Sequence, residues 1–301
     1  MRVKNIFIRK FFFLPLLLAI ISCSNEKSWK FSDGVEYPEG TKLSRAEDGV
    51  ILSNGTLIVA DQRYGLSKID LSGNVTPFGG FESLDYEHNP PKVESGPNGV
   101  HLTPDKKHII TADVFNGKIY KTSIENSSTE IIYAHKYGAN TAREDSTGSL
   151  WFTQSTENQN EERLFGALDK AIPDGALYRL PISEEGTLSK PELIVEGLYF
   201  ANGFYIDEKR NKLYLSEMMK NRVLAFDLDI STGSLSNQTT LAIMPTPDNM
   251  ELNSEGQLWV ASPLSNQIYS IDPENGESYV VFDAQTEVGL ENMEELSLIH
   301  I

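Results

Sequence analysis

One unit recurs along this chain and leaves little choice of fold. It is an apolar stretch, a polar turn that often carries Gly, then an alternating strand of the type Leu-aromatic-Val-Ala-Asp. The copies run Val50–Asp61, Val100–Asp113, Asp145–Gln154, Ile206–Glu217 and Leu252–Ser262. Their strands end at Asp61, Asp113, Gln154, Glu217 and Ser262, and so stand 52, 41, 63 and 45 residues apart. The 63-residue interval holds the polar insertion Thr156–Asp174, which accounts for its excess. A further strand follows each copy, over Leu66–Asp70, Gly117–Thr122, Gly175–Leu180, Arg222–Asp227 and Gln267–Asp272. Short strands of period 2 at this spacing, with almost no helical periodicity, predict an all-β fold, a β-propeller. Five full copies with stretches left over at both ends (25–45 and 277–295) predict a six-bladed β-propeller over residues 41–295. Its last blade is incomplete and closed by strands from both termini. No Pro/Ser/Gly-rich linker divides the repeats, so one domain is expected.

The two ends read differently. Residues 1–22 carry Arg2, Lys4, Arg9 and Lys10, no acid, and the apolar run Phe11–Ile21. That is the pattern of a secretory signal, too short for a spanning helix. The cut falls at Ile20-Ile21-Ser22-Cys23, which resembles the bacterial lipobox. Cys23 is the only cysteine, so no disulfide forms within the chain, and the expected role is lipidation. The chain is then a lipoprotein of the bacterial cell envelope, on the outer membrane, with residues 23–40 as a tether. Leu296–Ile301 resembles the translation of a sequencing adapter and is expected to be a non-native tail. The net charge is −17, and −21 from Cys23 onward once the four basic residues of the signal are gone. That charge repels phosphate backbones, so nucleic acid is not an expected partner. A monomer is expected.

The turns that lead into each blade's first strand carry the chemistry. They read Ala46-Glu47-Asp48-Gly49, Gly96-Pro97-Asn98-Gly99, Gly138-Ala139-Asn140-Thr141, Ala201-Asn202-Gly203 and Pro247-Asp248-Asn249. Asn, Asp and Gly favour turns on their own account. Five in register at one end of five blades would nevertheless meet at one mouth of a central channel. Carboxylate and amide oxygens on a common axis suit Ca²⁺, and no Cys or His cluster favours zinc or copper.

On these residues the chain resembles the regucalcin/gluconolactonase family and its paraoxonase relatives, six-bladed calcium propellers. The resemblance covers roughly residues 40–275. It rests on the Glu-Asp pair before Ile-Leu-x-Asn-Gly, the Phe-Ala-Asn-Gly turn, the Asp-Asn turn before Gly-x-Leu-Trp-Val, and Gly175-Ala176-Leu177-Tyr178. It implies Glu47, Asn140, Asn202, Asp248 and Asn249 as ligands of one catalytic Ca²⁺. Asp48 matches a ligand of the paraoxonases' second, structural ion, but Thr141 stands where another acid is needed, so that ion is not expected. Asn98 replaces the paraoxonases' channel histidine, which removes a histidine-assisted mechanism.

The resemblance implies a calcium-dependent hydrolase of lactones or related esters, with Asp248 as the base and Asn98 and Asn140 orienting the substrate. Tyr199, Phe200, Glu217 and the insertion are expected at the pocket rim, while Trp151 and Trp259 are expected in the core. His101 is expected to be packed or at the surface, and His135 to lie near the mouth. Two other readings stand beside this one. The first is a lipid-anchored propeller that binds calcium and a ligand without turnover. The second is a strictosidine-synthase-like propeller that uses an acid and no metal, for which Glu217 is the candidate.

Overall fold

The computed structural model describes residues 29–30, 37–38, 40, 43–158, 166–167 and 170–284. Twenty of its twenty-one strands form five antiparallel meanders, each a blade of four strands in chain order. The first is β2 (Gly49–Ile51), β3 (Leu57–Asp61), β4 (Gly65–Ile69) and β5 (Val75–Phe78). The second is β6 (Pro97–Leu102), β7 (His108–Asp113), β8 (Lys118–Ser123) and β9 (Thr129–Ala134). The third is β10 (Ala142–Glu144), β11 (Leu150–Gln154), β12 (Gly175–Leu180) and β13 (Glu192–Leu198). The fourth is β14 (Ala201–Asp207), β15 (Lys212–Glu217), β16 (Arg222–Asp229) and β17 (Ser234–Ile243). The fifth is β18 (Met250–Leu252), β19 (Leu258–Ser262), β20 (Gln267–Ile271) and β21 (Ser278–Asp283). β1 (Trp29–Lys30) adds to the fifth in parallel, Trp29 opposite Phe282, so a strand from before the repeats joins the sheet made by the last one.

The repeated strand lies second in every blade, and its alternation fixes which sides are apolar. Leu150, Trp151 and Phe152 all pack without solvent contact because a blade inside the ring is covered on both faces. The turns between first and second strands carry Gly55, Gly148 and Gly256 in the left-handed region, at φ of 83°, 88° and 83°.

Neighbouring blades are held together by apolar layers. One gathers Ile58, Ala60 and Leu66 with Val100, Ile109 and Tyr120, and another Ile110 and Ala112 with Ala142, Leu150 and Phe152. The third joins Trp151 and Leu177 to Phe204, Leu213 and Leu215, and the fourth joins Tyr214 and Val223 to Met250, Leu258 and Val260. These layers link the blades in sequence from first to fifth. Among the described residues no such layer links the fifth blade back to the first.

The expected six blades are therefore corrected to five. Repeat number is legible in a sequence, but a blade needs four paired strands, and the described residues within 25–45 and 277–295 supply only β1 and β21. Trp259 also departs from the expected core position: it is 42% exposed, on the fifth blade, after which no further blade is described. Cys23 and residues 296–301 lie outside the described residues. Among the described residues no helix is long and apolar enough to cross a membrane.

Candidate functional site

Strand register explains why the five turns converge. In the first strands, Gly49, Val100, Ala142, Phe204 and Met250 each pair with the third repeat residue of the second strand: Val59, Thr111, Phe152, Leu215 and Val260. Two residues before them stand Glu47, Asn98, Asn140, Asn202 and Asp248. One residue before them stand Asp48, Gly99, Thr141, Gly203 and Asn249. The donors thus form two adjacent layers at one end of the first strands.

Close approach in the second layer accounts for two of its glycines. A Cβ on Gly203 would lie 2.6 Å from Asn249 Cα and 2.9 Å from Asn249 Oδ1. One on Gly99 would lie 2.8 Å from Thr141 Cα. The Asn98 Nδ2 donates to the Asn140 carbonyl at 3.2 Å, and the Thr153 hydroxyl donates to the Asn202 carbonyl at 2.8 Å. The Thr141 hydroxyl lies 3.1 Å from Asn140 Oδ1 and 3.0 Å from Asn249 Oδ1, tying the third blade to the fifth across the channel. The position that breaks the pattern of a second ion thus holds the first donor set together.

The electrostatics of the belt are unfavourable as it stands. Asn202 is 3% exposed, and its Oδ1 accepts no hydrogen bond; its Nδ2 reaches only the Met218 sulfur, at 3.5 Å. Asp248 Oδ1 is also buried without a partner. Burial, then the charges of Glu47 and Asp48, push the Asp248 carboxyl up to about 8. Burial likewise raises Asp48 to about 7 against the opposing amides of Val100 and Gly49, which donate to it at 3.0 and 2.7 Å. Two unpartnered buried oxygens beside like charges form a site that a hard cation would satisfy. Glu47 is exposed, and among the described residues no cluster of three or more His, Cys, Asp or Glu exists, so amide oxygens would make up most of a donor set.

Other residues occupy different places. Asn98 Oδ1 accepts from Arg45 Nη2 at 3.0 Å, and the Arg45 guanidinium lies over Phe115. Glu217 is 1% exposed and fully engaged: Tyr199 N donates to Oε1 at 3.0 Å and Arg222 Nε to Oε2 at 2.6 Å. Its counterpart Asp113 accepts from Gly96 N at 2.9 Å, so an acid ending the second strand latches the chain entering the first. Phe200, with φ 59°, is buried in an apolar cluster with Val114, Phe115, Ala167 and Met218 at the same end of the molecule as the donors. His135 packs on Phe152 and Tyr178 and shares a 2.8 Å hydrogen bond with Gln154. His101 is buried in the channel wall, Nε2 3.6 Å from Asp48 Oδ2, and desolvation keeps it neutral. Arg45 and Thr141 are the site residues that sequence reasoning missed as contributors. Only the position of Thr141 beside Asn140 signalled it.

A cavity of about 730 Å³ runs from the belt along the channel, reaching Glu47, Asp48 and Asn249 at one end and lined farther along by His101, Arg143 and Tyr205.

Regucalcin of Danio rerio is 34% identical over 113 residues, 35% of either chain. The solved structure of a gluconolactonase from Xanthomonas campestris superposes with a TM-score of 0.59 at 17% identity, covering 81% of this chain and 77% of that one. A calcium-binding regucalcin from Agrobacterium tumefaciens gives 0.58 at 15%, covering 81% and 76%. The sequence profile of the SMP-30/gluconolactonase/LRE-like region matches residues 133–287, just over half of the chain. With three of the five turns inside that span, this chain belongs to the SMP-30/gluconolactonase/LRE-like family.

Proposed function

We propose that the chain hydrolyses lactones or related esters at the donor belt, with Ca²⁺ as cofactor. The observation that carries this is the pair of buried, unpartnered oxygens, Asn202 Oδ1 and Asp248 Oδ1, within one belt of oxygen donors. Glu47, Asn140, Asn202, Asp248 and Asn249 would hold the ion. The ion would supply Lewis-acid stabilisation of charge developing on the carbonyl oxygen. Asp248, the belt acid whose Oδ1 is unpartnered, would take the proton of the attacking water. Asn140, and Asn98 once released from Arg45, would orient the ester through their amides. Family membership, and the description of its Xanthomonas campestris relative as a gluconolactonase, support the reaction class.

A non-catalytic calcium-binding propeller is the second reading, favoured by the engagement of Asn98 with Arg45. Against the acid-only reading stand the five oxygen-donor positions, and Glu217, its candidate, accepts from Tyr199 N and Arg222 Nε. The chain would meet the envelope through lipid on Cys23, and labelling with palmitate in cells, lost in Cys23→Ser, tests that part. For the activity, a panel of lactones and aryl esters is assayed with calcium, with chelator and with Asp248→Asn. Turnover that needs the ion and vanishes in the variant is expected. Calcium binding without turnover would leave the second reading, and no calcium binding would end both.

A further inference from the structure

Below the two donor layers the first strands bring a third set of side chains to the channel. One residue past the paired position of each stand Val50, His101, Arg143, Tyr205 and Glu251, and all five line the cavity beneath the belt. Arg143 reaches across it. Its Nη2 donates to the Met250 carbonyl and to Glu251 Oε2, both at 2.8 Å. The guanidinium lies over the Tyr205 ring, 5.1 Å from its centre. A side chain of the third blade thus grips the first strand of the fifth while resting on the fourth.

This grip bears on the donors directly. Asp248 and Asn249, two of the five proposed ligands, come immediately before Met250, and Asn140 stands three residues before Arg143. Apolar layers join the third blade to the fourth and the fourth to the fifth, so through packing the fifth is placed against the third by relay. Two contacts bypass that relay. The Thr141 hydroxyl donates to Asn249 Oδ1 at 3.0 Å, and two residues farther along the chain Arg143 donates to the carbonyl of Met250. The second contact has a cost for folding. The Arg143 side chain is only 12% exposed, and its Nε is buried without a partner. An apolar side chain of this length would cover Tyr205 without that cost, so what the guanidinium adds is the reach to Met250 and Glu251.

We propose that Arg143 is a positioning residue of the donor belt: through the Met250 carbonyl it fixes Asp248 and Asn249 of the fifth blade against Asn140 of the third. The consequence for calcium rests on the proposed function, whereas the tie between the blades does not.

Two measurements on the full chain test this. Arg143→Met keeps an apolar stem on Tyr205 and removes every N–H. Its calcium affinity is expected to fall ~10-fold or more, as when other residues that orient metal ligands are lost. A lowered melting temperature at unchanged affinity would make Arg143 a stability residue only and overturn the proposal. Should Arg143→Met unfold the protein, Arg143→Lys keeps the stem and the charge but loses the planar fork. It is expected to bind calcium several-fold more weakly than wild type, and wild-type affinity would overturn the proposal. Hydrogen exchange in chelator reads the tie without the ion, at the amides of Asp248 and Ala261, which donate to Ala261 O and Asn249 O at 2.9 and 3.0 Å. In Arg143→Met, or in Arg143→Lys in its place, both are expected to exchange ~10-fold faster while β11 is unchanged, and unchanged exchange at both would overturn the tie. A wild-type chain that binds no calcium would instead fail the proposed function, and the exchange would still decide whether Arg143 holds the fifth blade.

Discussion

Asp248 meets two conflicting demands at its position: its Oδ1 is buried without a partner, and it stands beside Glu47 and Asp48. Its carboxyl is raised to about 8 and that of Asp48 to about 7, so without an ion the folded chain binds protons that the unfolded chain releases near pH 4. Stability of the ion-free protein is therefore expected to fall as pH rises from about 4 to about 8. Calcium, which requires the ionised forms, is expected to bind more tightly across the same window and to displace protons as it binds. Calorimetry at pH 5 and pH 8, in chelator and in calcium, checks both signs; a chelated protein more stable at pH 8 would contradict the burial of these acids. Glu217 is the opposite case, an acid with both oxygens matched. Glu217→Gln breaks the pair with Arg222 and is expected to cost about 1–3 kcal/mol of stability, without changing KM for any substrate found. A raised KM at unchanged melting temperature would return Glu217 to the rim. The donors were legible as residues because each sits in the same turn. The latch of Glu217 and the hold of Arg45 on Asn98 were not, since they join residues whose spacing has no periodic signature.

At the scale of the element, the five repeat strands and the strands after them lie within two residues of where period-2 alternation puts them, as with Gly175–Leu180 and Gln267–Ile271. The turn Phe200-Ala201-Asn202-Gly203 shows what the pattern encodes. Phe200 takes a left-handed backbone and packs into the apolar cluster, Asn202 is buried with an unpartnered Oδ1, and Gly203 lets Asn249 of the next blade approach. Gly203→Ala is expected to push Asn249 away from the belt, weakening calcium binding ~10-fold or more and destabilising the fold by about 1–3 kcal/mol. Calcium titration alongside thermal melting measures both, and unchanged affinity would mean that the approach is slack. Parallel pairing of β1 with β21 had no comparable signal, because two residues carry no alternation.

For the whole molecule, repeat number and ring closure are different quantities. Five copies are visible in the sequence because the same polar turn and strand recur, yet whether the last blade meets the first depends on surfaces far apart in the chain. The outcome is recorded in the second strands: β7, β11 and β15 are buried on both faces, whereas β3 leaves Leu57 and Val59 half-open toward the gap. Among the described residues the first blade's leading face has no four-stranded neighbour. Opening should therefore begin at the first blade. In native-state hydrogen exchange, the amides of β3 are expected to exchange at least ~10-fold faster than those of β11 and β15, which sit between complete apolar layers. Equal protection around the ring would mean that the first blade's outer face is closed as tightly as the four seams between blades.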